Sequence, residues 1–289
     1  MSKPVETGQV GFIQPGGQHQ GAQPGQPPNP PNMMGPGGWM ATPQAGASGS
    51  NIPPGLEYLA QLDQVLVQQV VELLEAFTGW ETDNKYAIKN AMGQQCYYAL
   101  ESSGCCAKQC CKNRRGFVMK IVDNTQREVI RATREFKCCA TTCCWMPCCG
   151  CQQHEIVVES PPGIVIGRIH NECSGWRQTF SVKMGDAEGG SDDEVFKIVG
   201  PCFISRAVCC ICMDVTFNIN SASTGEEVGA LKKQFSGAVK EMFTDADNFS
   251  VSFPKDLDVR AKALLMCSVF LIDFLFYEDN QQQKDRHDL

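Results

Sequence analysis

Residues 259–278 read VRAKALLMCSVFLIDFLFYE, and the fold turns on what surrounds them. The stretch holds neither Gly nor Pro and is apolar on nearly every face. A helix of that kind is wrapped by apolar material, either lipid or protein. Its apolar part, residues 263–277, is 15 residues long, which is about 22 Å at ~1.5 Å per residue. A bilayer core needs ~30 Å and ~20 apolar residues. Nine residues of Leu, Ile, Val and Phe would gain roughly 3–5 kcal/mol on insertion, while Asp273 would cost up to ~3 kcal/mol and Lys262 would have to snorkel. Insertion therefore lies near break-even, and a helix buried in the protein is favoured. If it did span, the bias of Lys255, Arg260 and Lys262 before it over Glu278 and Asp279 after it would leave the N-terminus in the cytoplasm.

The rest of the chain supplies material for such a burial. Short strand-like runs fall at 85–90, 95–100, 117–122, 128–133, 155–159, 163–170, 178–184, 195–199, 213–220, 227–233 and 249–253, punctuated by Gly, Pro and Asn, with Phe249, Val251 and Phe253 alternating. Asp123-Asn124-Thr125-Gln126 between two of them is a hairpin pattern. Residues 56–78 admit two readings. Leu59, Leu62, Leu66, Val70, Leu73 and Phe77 fall at helical spacing, whereas Val65, Val67, Val71 and Leu73 alternate. Ten to twelve short strands predict one mainly β domain, an antiparallel barrel or sandwich.

The first 52 residues differ. From Thr7 to Leu56 there is no Lys, Arg, Asp or Glu, and Gly, Pro and Gln dominate. Such a segment buries too little apolar surface to offset chain entropy and is expected to be disordered. Its patch Pro27-Pro28-Asn29-Pro30-Pro31 suits a polyproline groove of the SH3 or WW kind. Met33, Met34 and Trp39 receive no role. With a net charge of -7 and no basic block, nucleic acid is not an expected partner. The N-terminus lacks a signal-peptide pattern, so a cytosolic start is expected.

Against that start, 18 cysteines are anomalous. Many are adjacent pairs, which are poorly placed to bridge one another, and cytosolic thiols stay reduced, so a disulfide scaffold is disfavoured. The densest group is Cys143-Cys144-Trp145-Met146-Pro147-Cys148-Cys149-Gly150-Cys151. Cysteines beside apolar residues in a loop near a membrane suit palmitoyl transfer. The rival is zinc, with Cys148 and Cys151 as one pair, His154 three residues on, and Cys138/Cys139 or residues 105–111 as the second pair. Acylation is preferred because doubled cysteines exceed what a tetrahedral site uses. The four histidines are scattered, and no nucleophile elbow or phosphate loop occurs, so catalytic residues are not expected.

The stretches PPGLEYL (53–59), NKYAIKN (84–90), the cysteine group 143–149, GPC (200–202), FTDADNF (243–249), FPKDLDV (253–259) and FLIDF (270–274) resemble the plasma-membrane phospholipid scramblases. The likeness covers residues 53–278 behind a Pro-rich tail, with residues 279–289 as a short C-terminal tail. It implies a tubby-like twelve-stranded barrel around a central helix over 259–277. It also implies calcium-dependent, ATP-independent movement of membrane phospholipids between leaflets, and palmitate on Cys143, Cys144, Cys148, Cys149 and Cys151. Calcium would be held within residues 245–256, with Asp245, Asp247, Asn248 and Asp256 as ligands. The same twelve residues read by themselves place Phe249 and Ser250 where a calcium loop wants an oxygen ligand and Gly, so any affinity would be weak, on the order of 10⁻⁴–10⁻³ M. A turn leading into a core strand fits them as well. Residues 229–237, GALKKQFSG, lie where the family carries a nuclear-import segment. The expected location is the cytoplasmic face of the plasma membrane. The runner-up is a palmitoylated adaptor or lipid-binding regulator without transport activity, and a cysteine-ligated metal protein with a nuclear role is the third reading.

Overall fold

The alternation of the short apolar runs is the pattern that a closed wall with a dry interior requires. In the computed structural model, which describes residues 38–41, 52–70, 84–102, 115–137, 153–172, 174, 177–185, 193–202, 214–234 and 248–277, they form twelve strands. These are β1 (Gln64–Gln69), β2 (Lys85–Lys89), β3 (Gln95–Ser102), β4 (Phe117–Val122), β5 (Glu128–Arg134) and β6 (Glu155–Glu159), then β7 (Val165–Glu172), β8 (Arg177–Met184), β9 (Asp193–Cys202), β10 (Val215–Ser221), β11 (Glu227–Gln234) and β12 (Asn248–Ser252). Each pairs antiparallel with its neighbours in sequence, and β1 pairs antiparallel with β12, as with Val67 opposite Phe249. An even number of up-and-down strands is what lets the first and last meet antiparallel, and closure leaves no open edge.

The two readings of residues 56–78 each hold for part of the segment. Helical spacing governs α1 (Glu57–Gln61), whose Leu59 is buried, with Leu62 as its C-cap. Alternation takes over from Gln64, with Val65 and Val67 fully buried on one face of β1. Residues 71–83 lie outside the described set.

The inward face of the wall is apolar: Val65, Ile88, Met119, Ile121, Ile156, Ile169, Ile198 and Ile219 have no solvent exposure. The outward face carries Lys120, Arg131, Glu155, Arg168, Lys183, Lys197 and Lys232 among others, none of them buried. That is the inverse of a membrane-spanning barrel, whose wall is apolar outside and polar inside.

Helix α2 (Val259–Phe276) occupies the interior. Asp258 caps it, its carboxylate accepting from the Arg260 backbone N–H. Every residue from Ala261 to Leu275 is buried. All-round apolarity thus finds an all-round apolar wall, and each buried Leu, Ile, Val, Phe or Met contributes ~1.5–3 kcal/mol of transfer free energy. Among the described residues no helix is long and apolar enough to cross a membrane. The expected mainly β barrel of twelve strands around a C-terminal helix is what the chain forms.

One short piece of the Pro/Gly/Gln-rich tail belongs to the described set. Gln95 donates its N–H to the Gly38 carbonyl at 2.9 Å and accepts from the Met40 N–H at 2.8 Å, so Trp39 forms a parallel bridge with Gln95 at the start of β3. The Cys96 thiol lies 3.7 Å from Met40 Sδ. Sequence reading gave Trp39 no role because an isolated aromatic in a polar tail has no periodicity to place it. Residues 1–37 and 42–51 lie outside the described set.

Candidate functional site: the rim at the end of the central helix

In an up-and-down barrel, alternate connections share one end. The hairpins 90–94, 123–127, 160–164 and 222–226 lie at the end where α2 begins. The connections 71–83, 103–114, 135–154, 173–176, 203–214 and 235–247 join strand ends at the other rim, around the last turn of α2. Cys143, Cys144, Cys148, Cys149 and Cys151 all lie in the β5–β6 connection, and Asp245 and Asp247 in the β11–β12 connection. These seven lie outside the described residues. What the structure gives is the ground they grow from.

At that rim the barrel is closed by buried charge stacked on aromatic rings. Arg115 donates through Nε and Nη2 to Glu101 Oε1, both at 3.2 Å, and its guanidinium sits 4.5 Å from the Phe274 ring centre. Phe274 stacks on Phe117 at 4.0 Å and 27°. Arg134 lies 5.9 Å from the Phe117 ring and meets His154 Nδ1 at 2.7 Å. Because the guanidinium only donates, Nδ1 accepts and His154 carries its proton on Nε2. On the opposite side Lys233 Nζ is 3.5 Å from the Tyr277 ring and 5.2 Å from that of Phe249. Tyr86 donates to Asp273 Oδ2 at 2.7 Å while its ring packs at 5.2 Å on Phe270. Arg115, Arg134 and Lys233 therefore gather round the C-terminal turns of α2, where the backbone dipole is negative and cations are favoured.

The other end of α2 is held differently. Lys262 is fully buried, and its Nζ donates to the carbonyls of Leu59 (3.1 Å), Leu62 (2.7 Å) and Lys255 (2.7 Å). Burial lowers its pKa, against the opposing pull of Asp256 and Asp63. A lysine that would have to snorkel if the helix spanned a membrane is the pin joining α2 to α1 and to the turn after β12.

The expected calcium ligands do not all converge. Asn248 opens β12 at the cysteine-bearing rim, opposite Gln68 and Gln234. Asp256 is exposed in the turn beyond that strand's far end. The extended backbone from Asn248 to Phe253 alone runs about 16 Å at ~3.3 Å per residue. One ion cannot bind both. His154, weighed as a zinc ligand beside Cys148 and Cys151, has Nδ1 engaged by Arg134. Among the described residues no group of His, Cys, Asp and Glu is arranged to hold a metal.

The described free cysteines, Cys96 and Cys267, are buried. Burial pushes the Cys96 thiol up to about 12 and that of Cys267 well up too. Neither presents a thiolate, the form that attacks an acyl donor. Residues 229–234 of the stretch expected to serve nuclear import belong to β11, paired on one side with β10 and on the other with β12. Of its two lysines, Lys232 is exposed and Lys233 is buried. Sequence reading missed Arg115, Arg134 and Lys233 as interior groups, because charged residues are read as surface until a closed wall removes the surface.

A family model described as Scramblase matches residues 42–279. Phospholipid scramblase 1 of Mus musculus is 43% identical over 254 residues, 87% of this chain and 72% of the relative. Phospholipid scramblase 2 of Bos taurus is 41% identical over 273 residues, covering 94% and 84%, and phospholipid scramblase 4 of Homo sapiens is 35% identical over 264 residues, covering 91% and 75%. No solved structure gives a significant match. With the family model spanning the barrel from the end of the Pro-rich tail through α2, the chain belongs to the scramblase family.

Proposed function

We propose that this protein moves phospholipids between membrane leaflets, in both directions, in response to calcium and without ATP, while held at the cytoplasmic face of the plasma membrane. The observation that carries the reading is the family match over residues 42–279, with relatives named phospholipid scramblases. The anchor in this reading is palmitate in thioester linkage on Cys143, Cys144, Cys148, Cys149 and Cys151. One acyl chain binds marginally and two hold stably, so two or more of the five suffice. Calcium acts through Asp245, Asp247 and Asn248 on the same rim, without Asp256. The Pro-rich patch at 27–31 engages SH3- or WW-type partners. Nuclear import through residues 229–237 would require β11 to leave a closed barrel.

Lipid movement of this kind needs no covalent chemistry, only a lower barrier for a headgroup crossing hydrocarbon. The interior of the barrel is filled by α2, so headgroups pass outside it. Purified, acylated protein reconstituted in vesicles with a fluorescent phospholipid tests the reading. Calcium should expose inner-leaflet label to an external quencher in the absence of ATP. A vesicle population that keeps its label protected with calcium present would reject transport.

A second reading draws on the filled interior and the polar wall: a membrane-tethered adaptor or lipid-binding regulator that transports nothing itself. It expects protected label together with retained membrane attachment.

A further inference from the structure

Strand β3 begins at Gln95, but its ladder with β4 starts only at Tyr98, opposite Val122. Gln95 spends both its backbone groups on the tail instead. Its N–H donates to the Gly38 carbonyl at 2.9 Å, and its carbonyl accepts from the Met40 N–H at 2.8 Å. This is strand addition to an edge that β4 leaves open, parallel in sense at Trp39. The Trp39 side chain is 37% exposed, so Met40 is the anchor of the segment. It is half-buried and packs on the barrel core.

Two sulfurs meet under that anchor. The buried Cys96 thiol donates to Met40 Sδ at 3.7 Å and lies at the same distance from the Gln94 carbonyl. Burial pushes this thiol up to about 12, so Cys96 stays protonated at neutral pH and resists oxidation, which runs through the thiolate. A thioether needs no deprotonation, and Met40 keeps part of its surface in solvent. The docked segment is also finely balanced. Fixing each residue costs chain entropy comparable with what one hydrogen bond returns, and two backbone bonds plus one half-buried side chain hold residues 38–41 in place.

We propose that Met40 is a redox modification site, and that oxidation of its thioether by hydrogen peroxide releases residues 38–41 from β3. The sulfur lone pair attacks one peroxide oxygen, the O–O bond breaks, and the second oxygen leaves with both protons as water. Sulfur is oxidised by two electrons to the sulfoxide and peroxide is reduced. The product is polar and needs strong donors, whereas the donor placed beside it is the weak Cys96 S–H. Release uncovers Cys96 and opens the backbone edge at Gln95. The inference goes beyond the transport reading and does not depend on it.

The test is amide exchange in the full-length, reduced protein, read at Met40 and Gln95 before and after a peroxide dose that converts Met92, which is 77% exposed. Before peroxide, both amides should exchange several-fold more slowly than in a peptide of the same sequence. Once mass spectrometry shows Met40 as the sulfoxide, both should approach the peptide rate, and methionine sulfoxide reductase should restore the protection. Met40→Leu, which keeps an apolar anchor without sulfur, should stay protected through the same dose, and release should persist in Met92→Leu. Unprotected amides in the reduced protein would overturn the docking. Met40 left unoxidised, or oxidised with protection intact, would overturn the site. Release that Met92→Leu abolishes, or that Met40→Leu shares, would assign the effect elsewhere and overturn it too.

Discussion

Truncating Phe270 to Ala tests whether the hydrophobic helix is a wall-enclosed core or a segment independent of the barrel. Phe270 has no solvent exposure, and its ring packs on Tyr86 of β2, which in turn donates to Asp273 one turn further along the helix. Removing a buried Phe side chain costs ~3–5 kcal/mol, because transfer free energy is lost and the close-packed surroundings fill the void only in part. With a guanidinium m-value of roughly 4 kcal/mol/M for a domain of this size, the midpoint should fall by about 1 M. The assay is reversible unfolding of lipid-free, reduced protein followed by the far-ultraviolet β signal. Lys232→Ala, on the outer face of the same barrel, is the control and should shift stability by no more than ~0.5 kcal/mol. If Phe270→Ala leaves the midpoint within about 0.2 M of the wild type, on the same m-value argument, the helix does not share the barrel's cooperative core and the fold account fails.

Other outcomes follow from named contacts. Lys262→Met removes the donor to three carbonyls, and although the ammonium's desolvation is returned, a net loss of ~1–3 kcal/mol is expected by the same unfolding assay. If α2 spanned the bilayer, the same change would leave the barrel's stability alone and strengthen membrane retention. Gly167→Ala should cost ~1–3 kcal/mol, since a Cβ there would collide with the Lys183 carbonyl and lie 2.7 Å from Leu264 Cδ1 of the central helix; an unchanged midpoint would contradict the packing of α2 against β7. Arg115→Leu strands the Glu101 carboxylate inside the barrel and should cost ~3–5 kcal/mol, readable as a lowered thermal midpoint. His170 is pushed below its ordinary value chiefly by burial, with Glu155 opposing, so on acidification the unfolded chain takes up its proton first. Its part of the stability is present above about pH 6.5 and is lost as pH falls toward the folded value; His170→Gln should flatten that portion of the stability–pH curve.

Much of the wall was legible in the residues because alternation is a local signal. Val65 and Val67, Met119 and Ile121, Ile156 and Val158 each announce one buried face without reference to any partner. The helix was legible as buried but not by what. The same all-round apolarity fits lipid and protein, and only the closure of β1 on β12 decides between them. The interior cations were not legible for the converse reason. Arg115, Arg134, Lys233 and Lys262 read as surface until rings, carboxylates and carbonyls from distant strands surround them, and nothing local to each encodes those partners. The expected calcium loop shows the limit of a spacing argument: an extended strand between Asn248 and Asp256 separates two residues that sequence distance alone would let meet.

In the proposed function, acyl chains and not the hydrophobic helix hold this protein to the membrane. Membranes from cells expressing the full chain, treated with neutral hydroxylamine to cleave thioesters and then washed with alkaline carbonate, test it most directly. The protein should move to the supernatant after hydroxylamine and stay in the pellet after a mock treatment. Protein that stays in the pellet after both steps would contradict it and return α2 to the bilayer.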